Sequence, residues 1–152
     1  MLGISEAASL ALHAMLLLAA EPASRRSTHE LAGAIGASEA HLAKVLRRLG
    51  RAGMLRSSRG PGGGSVLGRP AAAITLLEIY EAVEGPLPVG GCLLPAPICA
   101  GQCCKLGGLL ADTQRILRGH LANTSLAELC SNRAGVKARG SFSQSARGKR
   151  SK

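Results

Sequence analysis

Apolar positions recur with helical period through the first third of the chain. Ile4 to Ala20 is apolar on nearly every face, which predicts a buried helix ended by Pro22. Ser27-Thr28-His29-Glu30 has capping-box spacing, with Ser27 as cap and Glu30 reaching back. It opens a short helix to about Ile35, with Leu31, Ala34 and Ile35 on one face. Gly36-Ala37 turns the chain, and Ser38 caps a second helix to about Arg51 with Leu42, Val45, Leu46 and Leu49 at helical spacing. The opposite face of that helix is basic. His41, Lys44, Arg48 and Arg51 follow one another at intervals of three or four residues, with Ala40, Ala43 and Arg47 beside them. Two short helices joined by a glycine turn, the second basic, form a helix-turn-helix. Small side chains next to long cations let such a helix sit deep in a major groove. A basic stripe alone equally fits a solvated face, so the next segment decides.

There the period changes. Met54 to Ser58 and Ser65 to Leu67 read as strands on either side of Arg59-Gly60-Pro61-Gly62-Gly63-Gly64. A hairpin tip nearly bare of side chains, with an arginine at its base, suits phosphates or a minor groove. Directly after a helix-turn-helix, this is a wing rather than a linker. Thr75-x-x-Glu78 opens a further helix with Leu76, Leu77, Ile79, Tyr80 and Val83 on its apolar side. Its Glu78, Glu81 and Glu84 have no histidine or nucleophile nearby and read as a solvated face. Leu106 to about Leu121 is a longer helix, and Ser125-x-x-Glu128 caps a short last one. The expected fold is mainly α with a small β-hairpin wing: a winged helix-turn-helix plus a long helix.

Composition sharpens this. Lys and Arg number 19 against 9 Asp and Glu, a net charge of +10 in 152 residues. Residues 1–70 hold nine basic residues against four glutamates, residues 71–130 three against five acids, and residues 131–152 seven against none. A basic head, a near-neutral middle and a basic tail fit a polyanion-binding module on a separate interaction segment. The tail has only Val136 and Phe142 as large apolar side chains, so disorder is expected there. Tyr80 and Phe142 are the only aromatics, which excludes base-stacking platforms and cation–π cages. No uncharged apolar run reaches the roughly 18 residues of a membrane span. No Lys or Arg precedes Arg25, so the apolar start lacks the charged lead of a signal peptide. A cytoplasmic protein with reduced or metal-bound thiols is expected. Neither a Ser/His/Asp set, a phosphate-binding Lys-Ser/Thr loop nor a Cys-x-x-Cys pair is present, so no enzyme is expected.

Cys92, Cys99, Cys103 and Cys104 fall within 13 residues, among Gly91, Pro95, Pro97 and Gly101. Four thiols in such a loop can converge on one centre, and thiolates suit iron–sulfur clusters, zinc or copper(I). The C-x6-C-x3-C-C spacing is not the paired knuckle of structural zinc. Cys130, distant in sequence and in an apolar helix, reads as a buried core thiol.

Leu42 to Leu49, Gly53-Met54-Leu55, the Arg59 to Gly64 wing and Ile74 to Gly85 together resemble one bacterial family of winged-helix regulators. It includes the iron–sulfur cluster regulator, the nitric-oxide-sensitive repressor and the cysteine-metabolism repressor, and the resemblance spans roughly residues 4–130. It implies a homodimer on double-stranded operator DNA, with no membrane partner. The contact residues it points to are Ser38, Ala40, His41, Lys44, Arg47, Arg48, Arg59, Gly60, Pro61, Gly62 and Gly63. It implies an iron–sulfur cluster on Cys92, Cys99 and Cys104, with Cys103 as a substitute for the third ligand. Some members carry a histidine where this chain has Gly107, and others an acid where it has Ser9; Glu6 or Cys103 are substitutes, and His13 reads as a core histidine. Without that histidine, a 4Fe–4S form is favoured over 2Fe–2S. The operator affinity would then respond to redox state, nitric oxide or iron–sulfur status. The alternative is a regulator of the same fold without a cluster, acting through thiol oxidation or a protein partner; a metal-thiolate enzyme or electron carrier is the remote one. The implied organisation is a DNA-binding domain over 1–85, a cluster loop over 86–105, a dimerisation helix with its cap over 106–130 and a basic tail over 131–152.

Overall fold

The helices of the protein begin where the sequence places hydroxyl caps. A computed structural model describes residues 4–60, 62–88 and 104–132. Helix α1 (Glu6–Ala20) starts two residues later than Ile4, because Ser5 takes the cap and its Oγ accepts the Ala8 N–H at 3.0 Å. Ser27 and Glu30 close a reciprocal capping box at the head of α2 (Thr28–Ile35): the Glu30 N–H donates to Ser27 Oγ and the Ser27 N–H to Glu30 Oε2. Gly36, in the left-handed region at φ 75°, ends α2. Ser38 occupies the cap position of α3 (Glu39–Arg51), but its side chain makes no capping hydrogen bond, contrary to expectation.

Strands β1 (Leu55–Ser58) and β2 (Gly64–Leu67) pair antiparallel, with Leu55 opposite Leu67 and Ser58 opposite Gly64. The backbone of Arg26 lies along β2, its N–H donating to the Ser65 carbonyl at 3.2 Å and its carbonyl accepting the Ser65 N–H at 2.8 Å. The wing is thereby stitched to the lead-in of α2. A 3-10 turn (Ala71–Ala73) precedes α4 (Leu76–Glu84), which Thr75 and Glu78 cap as expected.

Helix α1 runs through the middle. Its Ala8, Ala11, Met15 and Leu18 are buried together with Leu31 of α2, Leu42, Val45 and Leu49 of α3 and Ile79 of α4. Each fully buried Leu, Ile or Met contributes about 1.5–3 kcal/mol. The same core includes Leu126 of α6 (Leu126–Asn132), which has no exposed surface. Leu126 N–H donates to the Ile74 carbonyl at 2.8 Å and Leu76 N–H to the Thr124 carbonyl at 3.0 Å. The last helix is therefore part of the winged head in packing terms, although 106–130 reads as a unit of its own in sequence. Between them, α5 (Lys105–Asn123) has no buried residue, and Leu106, Leu109 and Ile116 are each more than 60% exposed. Cys130 is half-buried against the core rather than enclosed by it, and His13 is exposed, not a core histidine.

The glutamates of α4 do not form a solvated face. Glu78 accepts from Thr75 and from Arg69, Glu81 accepts from Leu87 N–H and Arg118, and Glu84 accepts from Ser5 Oγ at 2.6 Å. The sequence pattern shows only their spacing; the arginines that reach two of them come from outside α4, Arg69 from the loop after β2 and Arg118 from α5. The Thr75 N–H holds the Glu78 carboxyl below its ordinary 4.5 against some desolvation, with Arg69 adding to the effect. Burial pushes Glu81 up, but the Leu87 N–H and Arg118 outweigh it, and its net shift is also downward. Groups lowered in the folded state stabilise it fully above the unfolded value and lose that contribution as pH falls through the folded one. Urea unfolding should thus be nearly pH-independent above about 5 and weaken progressively below the ordinary glutamate value. Glu78→Gln should make this acid limb shallower; an unchanged limb would show that Glu78 does not carry it.

Candidate nucleic-acid interface

Helix α3 turns its four large apolar residues into the core, which forces its cations outward. At about 100° per residue the basic row drifts around the helix. The structure divides it. Lys44, Arg47 and Arg51 are exposed opposite the core, with Ala40 on the same outer face. No hydrogen bond or ion pair within the described residues engages these three cations. His41, by contrast, faces the start of α1, with Nδ1 3.5 Å from the Glu6 carboxylate. Arg48 donates from Nη1 to the carbonyl of Val83 at the end of α4.

A groove of about 530 Å³ separates α3 from the wing, lined among others by Thr28, Ala43, Arg47, Arg51, Ser57 and Ser65. Ser57 and Ser65 pair through their hydroxyls at 2.9 Å across the two strands, and Arg25 donates to Ser58 Oγ at 2.9 Å. One wall is cationic and the other is rich in hydroxyls and backbone. Such a groove offers N–H and O–H donors together with fixed positive charge, the chemistry that holds a phosphodiester chain. Nothing in the sequence pattern marks Thr28 or Arg25 for this role. Ser57 carries a weak signal, being the one hydroxyl of β1 that alternation places on the same side as Leu55. Ser38 lies exposed at the start of α3, where a helix entering a major groove meets base edges.

At the wing, Arg59, Gly60 and Gly62 are exposed and Gly63 half-buried, while Pro61 lies outside the described residues. The Gly63 N–H donates to the Gly60 carbonyl at 2.8 Å and closes the tip. A Cβ on Gly64 would lie 2.7 Å from the Arg26 carbonyl carbon and oxygen, so glycine is what lets the strand approach the α2 lead-in.

Of the expected metal ligands, Cys104 is described; Cys92, Cys99 and the substitute Cys103 lie outside the described residues. Cys104 is the N-cap of α5, and its Sγ accepts the Gly107 N–H at 3.2 Å. Helix N-termini favour the thiolate, so this position suits a thiolate ligand. Among the described residues, no three of His, Cys, Asp and Glu are grouped to hold a metal ion. Of the other ligand candidates, Glu6 faces His41, and the Ser9 carbonyl accepts from His13 Nδ1 at 2.7 Å. No described helix is long and apolar enough to cross a membrane.

Comparison with known proteins places these features. The profile of the family Rrf2, described as iron-dependent transcriptional regulator, matches residues 4–132. The HTH-type transcriptional regulators IscR of Klebsiella pneumoniae strain 342 and of Escherichia coli K12 are each 34% identical over 97 residues. That alignment takes in 64% of this chain and spans 60% of the length of those relatives. CymR (YrzC), the global cysteine regulator of B. subtilis, superposes with a TM-score of 0.74 at 28% identity, over 87% of this chain and 98% of that one. T. potens IscR shares the fold, with a TM-score of 0.72 at 23% identity over 91% and 94% of the two chains. These matches bear out the mainly helical winged fold with its two-stranded hairpin.

The seating of the wing can be tested without a ligand. Gly64→Ala should destabilise the chain by about 1–3 kcal/mol in urea unfolding, because backbone must move to admit the methyl. Gly33→Ala, inside α2 with open space around its Cβ, should instead stabilise it by about 0.5–1 kcal/mol. Equal effects of the two would mean that the wing does not rest on Arg26.

Proposed function

The chain belongs to the Rrf2 family of transcriptional regulators, and from that premise we propose that it binds duplex operator DNA as a homodimer. The observation that carries this reading is the groove between α3 and the wing, with Arg47 and Arg51 on one side, the hydroxyl-bearing hairpin on the other, and the exposed Lys44 further round α3. In this reading α3 enters the major groove, Ser38 and Ala40 approach base edges, and Lys44 and Arg47 meet phosphates or bases. Arg59, with Gly60, Pro61, Gly62 and Gly63, reaches the adjacent backbone or minor groove. A single recognition helix covers one half-site, so two copies read an inverted repeat. The exposed Leu106, Leu109 and Ile116 of α5 supply the apolar face for the second copy. Residues 1–85 then form the DNA-binding part and 106–130 the dimer-forming part, with α6 packed back on the head.

Arg47→Ala and Arg59→Ala should each weaken binding to a duplex selected by the wild-type chain. Loss of a phosphate contact should lower the slope of log affinity against log salt by about one unit on every sequence. Loss of a bidentate base contact should cost about 1–3 kcal/mol at one base position only. Unchanged binding in both variants, measured by fluorescence anisotropy, would refute the groove assignment.

For the cysteines we propose an iron–sulfur cluster held by Cys92, Cys99 and Cys104, with 4Fe–4S favoured over 2Fe–2S because Gly107 offers no imidazole. The cap position of Cys104 supports the ligand role, since its Sγ lies at the helix terminus and accepts the Gly107 N–H. When bound, the cluster would supply a centre sensitive to redox state, nitric oxide or iron–sulfur status. The likeness to the B. subtilis cysteine regulator favours a second reading, in which the thiols act without a cluster. Anaerobic purification separates the two. A brown protein with iron and sulfide, absorbing near roughly 400 nm and bleached by Cys92→Ser, Cys99→Ser or Cys104→Ser, supports the cluster. Serine still caps α5, so the Cys104 variant should fold. Holo and apo forms should differ about 5- to 150-fold in operator affinity. A colourless protein that binds equally well would leave the thiol reading.

A further inference from the structure

Helix α4 packs against both α3 and α5, and its last turn is held from both sides by arginines. Val83 carries one of the final carbonyls of α4, which have no partner within the helix. The Arg48 guanidinium of α3 supplies that partner, placing a positive charge at the negative end of the helix dipole. From the other side, Arg118 of α5 donates from Nη1 to Glu81 Oε1 at 2.6 Å. The same Glu81 oxygen accepts the Leu87 N–H at 3.1 Å, so the carboxylate ties α5 to the chain as it leaves α4. Val83 and Leu87 are both buried, which leaves this turn little freedom to slide.

We propose that Arg48 is a positioning residue that sets the seat of α3 on the end of α4, and that α5 acts on α3 through Arg118, Glu81 and this turn. The proposal rests on α3 being the DNA-contacting helix. It separates Arg48 from Lys44, Arg47 and Arg51, whose cationic ends no described group engages. A contact residue gives up a counterion-release contribution when removed; a positioning residue does not. A shared node also makes its two arginines non-additive, because either loss already frees the turn.

The test uses the full chain and a duplex selected by it from a random pool. Arg48→Ala should lose about tenfold in affinity for that duplex while keeping the wild-type salt slope and its affinity for random DNA. Arg48→Lys, which still donates to Val83, should recover most of the loss. Arg118→Ala should show a similar loss, and the double variant should bind no more weakly than either single one. A slope lowered by about one unit with equal loss on random DNA would make Arg48 a phosphate contact and overturn the proposal. So would additive losses. The node is also read without DNA: Arg118→Ala should shift the backbone amide resonances of α3 in the wild-type chain and not in the Arg48→Ala background. Unmoved α3 resonances would overturn the node itself, whereas a wild-type chain that binds no duplex would overturn the function reading alone.

Discussion

The fold depends on one helix that is apolar on all but a narrow face. α1 is apolar nearly all round, and it is satisfied only when α2, α3, α4 and α6 close over it. Burying Met15 and Leu18 completely recruits Leu126 from the far end of the described chain. This is why the segment after the long helix returns to the head and hydrogen-bonds on both sides of Thr75. Once α1 is covered, the apolar row of α3 has one place to go, and its cations are left outside. The cationic face of α3 is in this sense a consequence of the core.

Local chemistry then sets the details with short-range hydrogen bonds. Three boxes of hydroxyl and glutamate start α2, α4 and α6 at defined residues, so helix registers are fixed before long-range packing is considered. Register matters most for α3, where a shift of one residue would rotate Arg47 away from the groove by about 100°. The wing depends on a different economy. Without a Cβ at Gly64, the Arg26 backbone reaches the edge of β2 and anchors the hairpin beside α3.

The glutamates of α4 show how a pattern is misread when partners come from elsewhere. Spaced by three, they resemble a solvent-facing row, and nothing near them in sequence contradicts it. In the fold, Arg69, Arg118 and Ser5 converge on them from three separate parts of the chain. Two of these contacts lie more than 30 residues away along the chain. The same helix end also takes Arg48 from α3, which turns an ordinary C-terminus into a junction.

The sequence alone determines the helical and strand periods, the three capping boxes, the glycine wing and the two-sided character of α3, because each follows from residues within one or two turns of each other. It also places four thiols close together, although only Cys104 of these falls within the described residues. Tertiary structure decides which of the basic residues meet a partner within the chain. His41 and Arg48 are members of the same stripe as Lys44, yet Glu6 and the Val83 carbonyl take them up. It decides equally that Ser38 sits at a cap without bonding there, and that Ser57 and Thr28 complete a groove with Arg47. The physical reason is the same each time: periodicity tells which way a side chain leaves its own helix or strand, and only the packing of the other elements tells what it meets.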